Sequence, residues 1–139
     1  MNTLRRFSIS IDDKLLDKFE DKIMSRGYTN RSQAVADLIR KSLVSVEWGS
    51  SQKEVAGTIT LVYNHHLRDI VNRLVSSQHR FHKHILVTTH IHLDKENCLE
   101  VIVVKGTAKK LREIYNRMRS LKGIKFYDLS MATTGKGLS

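Results

Sequence analysis

The chain has 139 residues, with 24 Lys and Arg against 14 Asp and Glu, seven His, one Cys and no Pro. That length fits one mid-sized domain or two small ones and argues against a large enzyme, while 40% hydrophobic and 27% charged residues exclude a disordered or low-complexity chain. No apolar run approaches the roughly 18 to 20 residues that cross a bilayer, and no apolar signal segment follows Arg5-Arg6, so a cytoplasmic protein without a membrane partner is expected.

A net charge of +10 points to a polyanionic partner, because a basic surface gains free energy from released counterions. From Arg6 to Ile11 the pattern alternates, with Phe7, Ile9 and Ile11 on one face and Arg6, Ser8 and Ser10 on the other, which predicts a half-buried strand. Asp12 or Asp13 can cap a helix carrying Leu15, Leu16, Phe19 and Ile23, and Gly27 supplies its stop. Thr29 or Asn30 opens a second helix with Ala34, Val35, Leu38, Ile39 and Leu43 inward, ending near Val46.

One strand and two helices cannot make a self-sufficient core, since a lone strand leaves its backbone unpaired. A second copy would cure this. Two strands paired antiparallel over four helices place Arg6, Ser8 and Ser10 outward on a ribbon that fits the major groove of double-stranded DNA. The aperiodic stretch 47–54, with Gly49-Ser50-Ser51 at its centre, reads as a linker between a DNA-binding domain at 1–46 and a second domain at 55–139.

Beyond the linker the periodicity gives a strand over Val55–Tyr63 and a helical stripe of Leu67, Ile70, Val71, Leu74 and Val75. Two strands over Ile85–Leu93 and Cys98–Val104 are joined at Asp94-Lys95-Glu96-Asn97. Thr107 caps a helix with Leu111, Ile114, Met118 and Leu121, Gly123 ends it, and the last strand runs from Ile124 to about Ala132. The order is βαββαβ, the ferredoxin-like arrangement, so the predicted class is α+β. The basic last helix is a candidate second nucleic-acid surface, although such a helix is more often a solvated face.

All seven histidines lie between 65 and 92: His65, His66, His79, His82, His84, His90 and His92. On the strand from Ile85, His90 and His92 share a face opposite Ile91, and the following turn returns the chain to Cys98. The lone thiol cannot form an internal disulfide, so it is a buried apolar group, a redox thiol or a metal ligand. Two imidazoles and a sulfur make a three-ligand set that suits Zn, Cu or Ni. His79, His82 and His84 are candidates for a fourth, from the same chain or a neighbouring one. Glu100 shares the strand face of Cys98 and is either an acceptor orienting an imidazole or a plain surface carboxylate.

Two blocks, Arg6-Phe7-Ser8-Ile9-Ser10-Ile11-Asp12 and Arg26-Gly27-Tyr28-Thr29-Asn30-Arg31-Ser32-Gln33-Ala34, resemble the ribbon-helix-helix repressors. Ser76-Ser77-Gln78-His79, Thr89-His90-Ile91-His92-Leu93 and Cys98-Leu99-Glu100 resemble the regulatory, ACT-like domain of the nickel-responsive regulators, and the likeness covers nearly the whole chain.

The resemblance implies a metal-dependent repressor in which Arg6, Ser8 and Ser10 read a palindromic operator. It also implies Ni(2+) held in a square-planar site by His90, His92 and Cys98 of one subunit and His79 of a neighbour, within a tetramer built as a dimer of dimers. Tyr63 and His65 would lie near that site without being ligands. Gln33 stands where some relatives carry a carboxylate at a secondary cation site, leaving Asp37 available, and His66, His82 and His84 are either weak metal sites or solvated. Two other readings are a ribbon-helix-helix regulator sensing a small organic effector and a Cys/His metalloenzyme, the latter without a Gly-rich phosphate loop or a Ser-His-Asp spacing to support it.

Overall fold

The computed structural model of the chain describes residues 3–50 and 52–138. It divides into two compact units, Met1–Leu43 with Gly137–Ser139, and Val44–Lys136.

The first unit holds α1 (Asp13–Ser25) and the part of α2 up to Leu43, α2 as a whole spanning Arg31–Gly49. Asp12 caps α1 by accepting from the Leu15 N–H at 3.1 Å. The helix ends in a Schellman turn, where Gly27 takes φ +77° and Tyr28 N–H reaches back to Ile23 O at 3.1 Å. Asn30 Oδ1 accepts from Gln33 N–H at 2.8 Å at the start of α2. Both predicted caps are therefore in use.

The strand expected over Arg6–Ile11 differs. Residues 3–12 join no ladder within one chain, and Phe7, Ile9 and Ile11 are exposed together with Leu15, Leu38, Ile39 and Leu43. A strand exists only by hydrogen bonding to another, and the second unit's strands pair among themselves.

The predicted linker also differs at its start. The helix α2 runs on through Glu47 and Trp48, because Trp48 belongs to the core of the second unit. Its indole is fully buried, its Nε1 donates to Ala132 O at 2.8 Å, and its own carbonyl accepts from Arg112 Nη1 at 2.7 Å. Gly57 makes the room: a Cβ there would lie 2.7 Å from Ser130 O and 3.2 Å from Trp48 Cζ2. Ser51, in the middle of the predicted linker, lies outside the described residues.

The second unit then runs β1 (Glu54–Asn64), α3 (Arg68–Arg80), β2 (Ile85–His92), β3 (Asn97–Thr107), α4 (Ala108–Arg119) and β4 (Ile124–Met131). The sheet order is β2-β3-β1-β4 with every neighbouring pair antiparallel, as a ferredoxin-like βαββαβ chain requires. Alternation in β1 buries Val55, Ile59, Leu61 and Tyr63, and in β3 it buries Cys98, Glu100, Ile102 and Val104. Ile70 and Leu74 of α3 and Leu111, Ile114 and Met118 of α4 complete that core. Each such side chain contributes about 1.5 to 3 kcal/mol by leaving water. On the opposite sheet face Val87, Ile91 and Phe126 stay exposed. Thr107 caps α4 as predicted, accepting from Lys110 N–H at 3.2 Å.

Candidate metal centre

The register of β2 on β3 sets the site. His92 is directly opposite Cys98 and His90 directly opposite Glu100, while on the other side of β3 Tyr63 is opposite Cys98. Directly opposed residues of an antiparallel ladder share a sheet face. All five side chains therefore stand on the face that the helices cover, but β2 is an outermost strand, so His90 and His92 remain exposed while Cys98, Glu100 and Tyr63 are buried.

Burial gives the three inner groups partners. Glu100, 4% exposed, accepts from Tyr63 Oη at 2.8 Å on one oxygen and from Gln78 Nε2 of α3 at 2.6 Å on the other. The surface-carboxylate reading of Glu100 is thereby excluded. Thr88 Oγ1 donates to Gln78 Oε1 at 3.5 Å, so the amide links the carboxylate to β2. Desolvation, then the bond to Glu100, raises the Tyr63 phenol well above its ordinary value, which keeps it a donor. Cys98 directs its S–H at Tyr63 O at 3.6 Å. Desolvation is the largest influence on this thiol and raises its pKa, with a hydrogen bond from the Tyr63 side chain opposing and the Glu100 charge reinforcing.

The imidazoles form a loose row. His90 and His92 have ring centroids 5.2 Å apart, Tyr63 meets His90 edge-on at 6.1 Å, and His65 meets His92 edge-on at 4.6 Å. His65 also lies 4.3 Å from the ring of His66, and its Nε2 is buried without a hydrogen-bond partner. His66 Nε2 bonds Lys95 O at 2.6 Å, His82 Nδ1 bonds His79 O at 3.1 Å, and His84 Nδ1 bonds Lys105 O at 3.3 Å. Each of those three rings thus spends one nitrogen on a backbone carbonyl.

His79 is elsewhere. It is exposed in the last turn of α3, with its ring 6.2 Å from that of His82. Among the described residues of one chain, no three His, Cys, Asp or Glu side chains form a group that could hold an ion. His90, His92 and Cys98 are brought to one face without closing into such a group.

Sequence reasoning gave no role to Gln78. Nothing in its type marks it; only the fold reveals that it faces a buried carboxylate. Asp37, the carboxylate that the sequence left available for a secondary cation site, accepts from Tyr28 Oη and from Arg40 Nη1, both at 2.8 Å. Arg6, Ser8 and Ser10 are exposed on the unpaired N-terminal segment.

Residues 56–132 match the family described as the NikR C-terminal nickel-binding domain. Three curated relatives, each carrying the name nickel-responsive regulator, match over almost their full length. The chain is 50% identical to that of Geobacter metallireducens and 51% to that of Pyrococcus furiosus, each over 133 residues covering 96% of both proteins. It is 52% identical to that of Pyrococcus horikoshii over 135 residues, 97% of this chain and 98% of the relative. Among solved structures, an uncharacterized protein from Thermotoga maritima is similar with a TM-score of 0.52 at 12% identity, covering 57% of this chain and 98% of that one; this is a likeness of fold alone.

Proposed function

We propose, from the premise that this chain belongs to the family of nickel-responsive regulators, that it is a cytoplasmic transcriptional repressor whose hold on a palindromic operator depends on Ni(2+). The family is one of regulators and not of enzymes. The observation that carries the metal half of this reading is the pairing of His92 with Cys98, with His90 next along the same face.

The donor set fits the ion. Imidazole nitrogen and thiolate sulfur together suit a late divalent transition metal and are a poor match for calcium or magnesium. His90, His92 and Cys98 would hold it, with His79 of a second chain as the fourth donor. Bound there, nickel supplies a cross-link between chains. The residues around it keep the donors in place: Tyr63 and Gln78 fix Glu100 beneath His90, and the Tyr63 carbonyl orients the Cys98 sulfur.

The DNA half rests on the N-terminal unit. Among the described residues, only Ile23 and Ala34 of its apolar side chains are buried within one chain, and the segment carrying Phe7, Ile9 and Ile11 has no ladder partner. Pairing with a second copy would bury these groups and complete a ribbon-helix-helix domain over 1–46, with Arg6, Ser8 and Ser10 turned to the base edges. The 55–139 domain would then join two such dimers into a tetramer, for which the exposed Val87, Ile91 and Phe126 offer apolar surface. No helix among the described residues is long and apolar enough to cross a membrane.

Because effector and DNA couple reciprocally, nickel must tighten operator binding and operator must tighten nickel binding by the same factor, typically about 5 to 150-fold. Titration of labelled operator with metal-free and nickel-loaded protein tests this. Equal affinities would overturn the reading.

A further inference from the structure

A solvent-open groove of about 400 Å³ lies between α3 and α4, lined by Asn72, Arg73, Ser76, Ser77, Arg117 and Leu121. Its polar lining is rich in donors: two guanidinium groups, one amide and two hydroxyls, with no carboxylate, imidazole or thiol. It is therefore no metal site. We propose that this groove binds a phosphate group, with Arg73 and Arg117 as its cationic walls.

The availability of the donors supports this. Arg73 gives its Nε to Asp69 at 3.2 Å, which leaves both terminal nitrogens for a ligand. Arg117 has no acidic side chain within ion-pair distance among the described residues. Other cations of the same unit have partners outside the groove: Lys110 pairs with Glu113 at 3.3 Å, Arg112 donates to the Trp48 carbonyl at 2.7 Å and Lys125 donates to Asn97 at 2.6 Å. The hydroxyl of Ser77, on a residue only 5% exposed, bonds no protein group among the described residues.

The surroundings favour the same ligand. From Ala108 to Lys125 the chain carries seven basic residues (Lys109, Lys110, Arg112, Arg117, Arg119, Lys122 and Lys125) against one acidic, Glu113. A concave cationic surface with an apolar wall, here Leu121, concentrates anions, and planar guanidinium groups match phosphate oxygens in pairs. In the run Ser76-Ser77-Gln78-His79, Gln78 faces Glu100 and His79 is the proposed fourth donor, while Ser76 and Ser77 point to no role at the metal centre. The groove exceeds the size of a lone phosphate, so the group would come from a free nucleotide-sized compound or from the backbone of bound DNA.

The experiment uses full-length, nickel-free protein in chloride buffer, titrated calorimetrically with pyrophosphate. One saturable site per chain is expected. It should weaken at least tenfold in Arg117→Gln and in Arg73→Gln, and stay within twofold in Lys109→Gln, which loses the same charge outside the groove. Absence of saturable binding, or an equal loss in Lys109→Gln, overturns the proposal. The source is read from the salt dependence of binding to a duplex of unrelated sequence. With pyrophosphate binding lost, a slope reduced by about 1 in Arg117→Gln relative to Lys109→Gln identifies the DNA backbone. An unchanged slope identifies a free phosphate compound. Nickel takes no part in these titrations, so their failure leaves the nickel response standing.

Discussion

His92 and Cys98 face each other across the β2–β3 ladder, one exposed at the sheet margin and the other fully buried. The pair unites a side chain that water reaches with one that it does not, and the expected behaviour of the site follows from that difference.

Replacing the sulfur with a methyl, Cys98→Ala, should lower nickel affinity by more than about 100-fold, since a direct donor counts for more than the orienting groups, whose loss costs about 10 to 100-fold. The metal-free variant should remain folded, because Ala leaves only a small void. Chelator competition and a thermal melt measure the two effects. Unchanged nickel uptake would remove Cys98 from the site.

Tyr63→Phe leaves one oxygen of the buried Glu100 without its 2.8 Å donor. The metal-free protein should lose about 1 to 3 kcal/mol in urea unfolding, the usual cost of a stranded buried acceptor. If Tyr63 also positions the centre, nickel affinity falls with it, by about 10 to 100-fold.

The raised pKa of the Cys98 thiol, chiefly from burial, means the folded metal-free chain keeps a proton that an ion bound by this sulfur would have to displace. Nickel affinity should therefore climb with pH through the neutral range, by up to about tenfold per pH unit from this group. Stability of the metal-free protein should move the other way. The unfolded chain gives up its thiol proton near the ordinary value of about 8.5, so above that pH it binds fewer protons than the folded chain and folding weakens. The raised Tyr63 phenol adds a like effect at still higher pH. Proton release by calorimetry in two buffers and melts across alkaline pH check both signs.

Arg6→Ala should cost about 1 to 3 kcal/mol of specific operator affinity if the side chain reads a base edge. Binding to unrelated duplex should fall far less. A variant equal to the parent on its operator at moderate salt would displace Arg6 from the reading face.

Trp48→Ala should remove about 3 to 5 kcal/mol from the second unit, the usual range for an aromatic core truncation. Gly57→Ala should also destabilise it, since the added methyl meets the Ser130 carbonyl at 2.7 Å. Denaturant unfolding measures both.

Much of the second unit was legible in its residues. Alternation announced β1 and β3, the stripe Leu111, Ile114 and Met118 announced α4, and Thr107 caps where it was expected to. These signals are local and repeat along the chain. Trp48 was not legible, because its environment comes from Gly57 beyond the predicted linker and from Arg112 and Ala132 far along the chain, whereas Gly49-Ser50-Ser51 beside it looked like a linker. The burial of Glu100 escaped for the same reason: its partners stand on β1 and α3. The shared face of His90, His92 and Cys98 followed from a strand period of two and one hairpin. The position of His79 on a separate element did not, since no spacing rule connects a helix end to a neighbouring strand.

Full burial of Cys98 also bears on how long the protein lasts. Peroxide attacks a thiolate that it can touch, and this sulfur is sheltered by the core and, without metal, protonated. The imidazoles of His90 and His92, in contrast, are open to the surrounding water. The one thiol of the chain is protected by its burial from conversion to a sulfenic acid while the fold stays closed around it.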